Sequence, residues 1–140
     1  MLPAQTQERL AEALLRIEDP IERLAYTQDR ARRRPALAPE FCTEAFRIQG
    51  CATKLWLHPQ LDAGTCRFDV DSESAVVRGL AALIAEVYSG VVPKEAAAFD
   101  CTILSAAKLE RYITPTRLQG LALLQKAIRN FAVEQFSKEN

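Results

Sequence analysis

The feature that most restricts the fold is a change of hydrophobic period along the chain. Towards both ends apolar residues recur at helical spacing, whereas between Phe46 and Val70 they fall into short alternating runs with Gly50 and Gly64 at the breaks. Phe46–Ile48, Thr53–Leu57 and Thr65–Val70 therefore read as three short antiparallel strands. Alternation places Thr53, Leu55 and Leu57 on one face, expected to meet the core, and Lys54, Trp56 and His58 on the other. A sheet this small needs helices to cover it. The order helices, strands, helices predicts an α+β fold, a small three-stranded antiparallel sheet packed against helices.

From Thr6 onward Leu10, Leu14 and Ile17 mark a first amphipathic helix that stops at Asp19-Pro20. Asp19 offers a cap, Pro20 suits the first helical position and Glu22 completes a variant capping box, so a second helix is expected to about Arg33. Its stripe is Ile21, Leu24 and Ala25, and Pro35 and Pro39 bracket the loop that follows. The strongest pattern runs from Glu73 to Tyr88, with Val76, Leu80, Leu83, Ile84 and Val87 on one side, Asp71 or Ser72 as cap and Gly90 at the exit. Gly79 lies inside it, where glycine costs about 1 kcal/mol relative to alanine, which predicts close packing against another element. Pro93 and Asp100 mark the starts of two shorter helices. Thr114-Pro115 opens a long last helix with Leu118, Leu121, Leu124, Ile128 and Phe131 on its buried side.

Composition limits the functions. At 140 residues the expectation is a single domain over 1–140. Eighteen basic and eighteen acidic side chains cancel, so no long-range field draws the molecule to polyanions and nucleic acid is not an expected partner. The longest apolar run, Leu80–Ala85, is six residues, far short of the roughly 20 that span a bilayer, so no membrane partner is expected either. Met1–Leu10 shows no basic segment leading into an apolar stretch, which makes the cytoplasm the expected compartment. In that reducing setting Cys42, Cys51, Cys66 and Cys101 are expected as thiols.

Cys51 stands apart from the other three. It follows Gly50 at the junction of two expected strands, where a tight turn lets a large partner approach the thiol. No base stands beside it: Lys54 is three residues on, and His58, the only histidine, lies about 20 Å away along an extended strand. Lowering a thiol pKa from ~8.5 to ~7 raises the thiolate fraction about fifteenfold at most, and lower nucleophilicity offsets part of the gain. Activation on that scale suits exchange with another sulfur better than hydrolysis of an amide. The four cysteines contain no Cys-x-x-Cys pair, so a metal or cluster scaffold using several of them is the alternative reading. Cys42, Cys66 and Cys101 are expected in core or half-buried positions, and His58, before Pro59, at a strand-end surface. Arg30, Arg32, Arg33 and Arg34 read as a solvated helix end or, alternatively, a docking patch for an acidic partner. Asp69, Asp71 and Glu73 alternate ahead of the long helix; capping accounts for Asp71 and Glu73, and a place near the Cys51 loop is the other reading.

Taken in order, Gln49-Gly50-Cys51, Lys54-Leu55-Trp56-Leu57, Asp71-Ser72, Val76-Val77-Arg78-Gly79-Leu80 and Thr114-Pro115-Thr116-Arg117-Leu118-Gln119-Gly120 resemble the SufE and CsdE family of sulfur acceptors, over roughly residues 10 to 135. The resemblance implies a role in iron–sulfur cluster assembly. A cysteine desulfurase would pass sulfane sulfur to Cys51, be stimulated by doing so, and see the sulfur carried on to a cluster scaffold. It implies a covalent persulfide carrier rather than a stand-alone enzyme, with no cofactor of its own, since pyridoxal phosphate sits on the desulfurase. An IscU-like fold is implied too, and a monomer or weak homodimer is expected. Gln49, Gly50 and Thr53 are expected to shape the turn, and Asp71, Glu73 and Arg117 to position it or meet the partner. Thr53 stands where the family often has serine, and Glu73 where it often has aspartate.

Overall fold

The computed structural model describes residues 1–139. Two helices come first, α1 (Pro3–Leu15) and α2 (Pro20–Arg32), followed by a strap with short 3-10 turns at Pro39–Phe41 and Glu44–Phe46. A hairpin of β1 (Leu55–Asp62) and β2 (Thr65–Ser72) leads into α3 (Ala75–Tyr88), then α4 (Pro93–Ala98), α5 (Ile103–Ala106), a 3-10 turn at Glu110–Tyr112 and α6 (Pro115–Glu139). The α+β reading holds, with one correction. Among the described residues the sheet has two strands, not three.

The hairpin turn explains the register. Ala63 and Gly64 both take positive φ, 50° and 82°, the conformation whose twist matches the flanking strands, and Asp62 pairs with Thr65 while Leu55 pairs with Ser72. The expected third strand fails because the chain ahead of it closes into the Glu44–Phe46 turn. What remains is a single antiparallel bridge, Arg47 to Trp56, with the Ile48 N–H donating to the Leu55 carbonyl at 2.8 Å. On its other edge β2 is bridged at Cys66 to Val91.

The core forms where the sheet's inner face, Leu55, Leu57, Cys66 and Phe68, meets α3 and α6. α3 is buried along most of its length, from Val77 through Tyr88 apart from Arg78 and Glu86, and so acts as the central helix. α6 contributes Leu121, Leu124, Ile128 and Ala132, and Phe131 meets the Phe68 ring edge-on at 5.7 Å. Gly79 is the close approach its place in the helix predicts: a Cβ there would stand 2.9 Å from Thr27 Oγ1 and 3.0 Å from the backbone of α2.

Elsewhere the packing departs from the sequence pattern. α2 buries Arg23, Thr27 and Ala31, while Ile21 is exposed. The Arg23 guanidinium donates to the carbonyls of Leu14, Ile17, Glu18 and Ala107, filling the open C-terminal end of α1. The cap of α3 is Ser74, whose hydroxyl accepts from Val77 N–H, because β2 continues through the expected cap positions Asp71 and Ser72. α4 starts at Pro93 as expected. α5 starts at Ile103 rather than Asp100, whose carboxylate accepts from Gln125 on α6.

Candidate functional site

Residues 49–54 form a loop fastened at both feet. The Ile48–Leu55 hydrogen bond closes its base. At the exit, Lys54 is tied to the β2–α3 junction: its carbonyl accepts from Ser72 Oγ at 2.6 Å and Glu73 N–H at 3.3 Å, and its own N–H donates to Glu73 Oε1 at 3.4 Å. Glu73 thus lies beside the Cys51 loop and does not cap α3. Gly50 carries φ +85°, a backbone that disfavours any side chain, and a Cβ there would meet Leu123 Cδ1 of α6 at 3.2 Å. Gln49, Gly50 and Ala52 are exposed, and Thr53 is half-buried.

The Cys51 side chain turns from this tip onto α6. Its sulfur sits so close to the Cα of Gly120 that a Cβ on that residue would be 2.6 Å from Sγ. The thiol is half-buried, against the edge of the core, with exposed neighbours on both sides. Among the described residues no hydrogen-bonding or ionic partner meets it. Among the described residues no general base is hydrogen-bonded to the thiol. His58 is engaged elsewhere, stacked on Phe41 at 3.7 Å with Phe46 edge-on at 5.5 Å, half-buried beneath the strap and not at the surface expected of it.

The other expected site residues divide. Arg117 is half-buried in the first turn of α6, one turn before Gly120 and on the same face, with its N–H on Thr114 Oγ1. Asp71 pairs instead with Arg78, 3.3 Å away, and accepts from Ser72 N–H. Gly120, Leu123 and Ser72 were not among the expected site residues. A glycine inside a long helical pattern was the available signal for Gly120, the same signal that predicted the close approach at Gly79.

The remaining thiols are unlike Cys51. Cys66 and Cys101 are buried, and burial pushes the Cys101 thiol from its ordinary 9.0 up to about 11. Cys42, half-buried in the strap, is raised by burial and then by the Asp71 carboxylate. Among the described residues no three His, Cys, Asp or Glu side chains converge in a way that would hold a metal ion. The arginine cluster is partly spent on internal bonds: Arg30 binds both Glu86 oxygens at 2.8 Å and Arg34 pairs with the same carboxylate, fastening α2 and the strap to α3. No helix among the described residues is long and apolar enough to cross a membrane.

The model of the SufE, Fe-S metabolism associated, domain matches residues 8–132. The chain belongs to the SufE family. Its place is therefore in iron–sulfur metabolism. The solution structure of a hypothetical protein from Thermus thermophilus is similar to this SufE-family chain, with a TM-score of 0.79 over 98% of this chain and 99% of that one. At 20% identity the likeness concerns the fold.

Proposed function

We propose that this chain is a sulfur acceptor and carrier, a single domain that takes sulfane sulfur from a cysteine desulfurase onto Cys51 and hands it on for iron–sulfur cluster assembly. The observation that carries the reading is the Cys51 thiol at the tip of a pinned, largely exposed loop, half-buried and with no base hydrogen-bonded to it. In the transfer, the Cys51 thiolate attacks the outer sulfur of the donor persulfide. The donor S–S bond breaks, its cysteine leaves as a thiolate, and a new S–S bond forms on Cys51. Overall, Cys51–SH and donor–S–SH become Cys51–S–SH and donor–SH, so no oxidant or reductant is consumed. Draining the persulfide frees the donor cysteine for its next turnover, which is how such a protein stimulates its partner without being an enzyme itself. Pyridoxal phosphate stays with the desulfurase. Gln49, Gly50 and Thr53 shape the turn, Glu73 fixes its exit, and Arg117, one helical turn before Gly120 on α6, meets the partner. Asp71 holds Arg78 and stands beside Ser72, whose hydroxyl binds the Lys54 carbonyl at the loop's exit. The cytoplasm, where thiols stay reduced, suits this chemistry.

The test is intact mass after incubation with a desulfurase and cysteine. The wild-type chain gains about 32 Da, one sulfur as a persulfide, and Cys51→Ser gains none. Sulfur retained on a defined peptide of Cys51→Ser would overturn the assignment.

A further inference from the structure

We propose that Gly120 is a positioning residue for the acceptor thiol: its missing side chain is the seat in which the Cys51 sulfur rests, and it sets how exposed that sulfur is. The inference rests on the acceptor reading of Cys51 for its importance, but its geometry stands independently. Two contacts place the loop on α6. Gly50 lies against Leu123, Cys51 Sγ against Gly120, and Gly120 and Leu123 are three residues apart and so face the same way. Gly120 itself is buried, and a Cβ on it would meet the sulfur at 2.6 Å but the Cys51 Cβ at an ordinary 3.7 Å. Among the described residues outside the backbone of α6, only the Cys51 sulfur stands too close to admit a Cβ at this position.

The nature of that obstacle decides what a substitution does. At Gly79 the atoms in the way include the backbone of α2, which cannot step aside. At Gly120 the atom in the way is the end of a side chain with one rotatable bond, and a change of χ1 moves it off the helix. Alanine at 120 therefore evicts the sulfur from its seat while leaving α6 intact. The helix itself favours alanine over an interior glycine. Glycine at this position costs helix propensity, and the thiol is what it accommodates.

Two measurements, neither using a desulfurase, test this. The first is the rate at which iodoacetamide alkylates Cys51 in the native protein, located by peptide mapping. Gly120→Ala is expected to raise it several-fold; an unchanged or slower rate in a folded variant overturns the proposal. The second is a thermal cycle with Cys51→Ala. Without the sulfur, Gly120→Ala is expected to raise Tm by about 3 °C, the gain of an interior Gly→Ala change in a chain of this size. In the Cys51 background that gain is expected to shrink or reverse. Equal shifts in both backgrounds overturn the proposal. Should Gly120→Ala alone not fold, Cys51→Ala/Gly120→Ala is still expected to fold. An unfolded double variant also overturns it, because an obstacle other than the sulfur would then forbid the side chain. Failure of the acceptor reading shows only in the mass test above, so the two outcomes are separable.

Discussion

Single residues fix the chemistry. Gly50 is needed for its backbone: φ +85° is strained for an L-residue, and an added Cβ would press on Leu123. Gly50→Ala is expected to cost about 1–2 kcal/mol in urea denaturation. Cys101 shows the opposite case, a thiol kept inert by burial. Its folded pKa of about 11 exceeds the ordinary 9.0, so the neutral form is favoured in the fold. Its contribution to stability is complete below about pH 9 and is lost as pH rises towards 11. Tyr88, whose hydroxyl donates to the Phe99 carbonyl, is pushed well above its ordinary range, chiefly by burial, and acts in the same direction. Urea midpoints are expected to fall between pH 8 and 10.5, by an amount worth at most a few kcal/mol, and less steeply in Cys101→Ala.

At the scale of elements, Gly79 sets how closely α3 approaches α2. Gly79→Ala is expected to destabilise by about 2 kcal/mol despite the gain in helix propensity, because the added carbon meets α2 backbone as well as Thr27 Oγ1. Thr27→Ser, which keeps that oxygen, is not expected to relieve it; a thermal melt of the single and double variants checks both statements. α1, α3 and α6 were legible because their apolar stripes match a 3.6 period and their buried faces need nothing else. The face of α2 was not. Hydrophobic periodicity cannot foresee a buried arginine whose charge is absorbed by four carbonyls, nor a threonine buried where a glycine of the next helix lets it approach. The third strand misled for a related reason. Phe46–Ile48 alternates like a strand, yet a local 3-10 turn takes its first residue and one bridge is all that remains.

Across the whole molecule, a hairpin and α3 supply the rigid body on which one loop is hung, and α6 supplies the surface against which its tip rests. The thiol and its turn could be read from Gly50-Cys51, since a turn needs only neighbouring residues. Its seat could not, because Gly120 is 69 residues away in the chain and only the tertiary structure brings it to the sulfur. Nor could the tie from Glu73 to Lys54 be separated from capping on sequence grounds. The most direct test of the account uses a chain in which Cys42, Cys66 and Cys101 are replaced by alanine, checked for native helix content and mixed anaerobically with a charged desulfurase. The account predicts about one sulfur, near 32 Da, on the peptide holding Cys51. A folded chain of this kind that takes up no sulfur, while the wild type does, would contradict it.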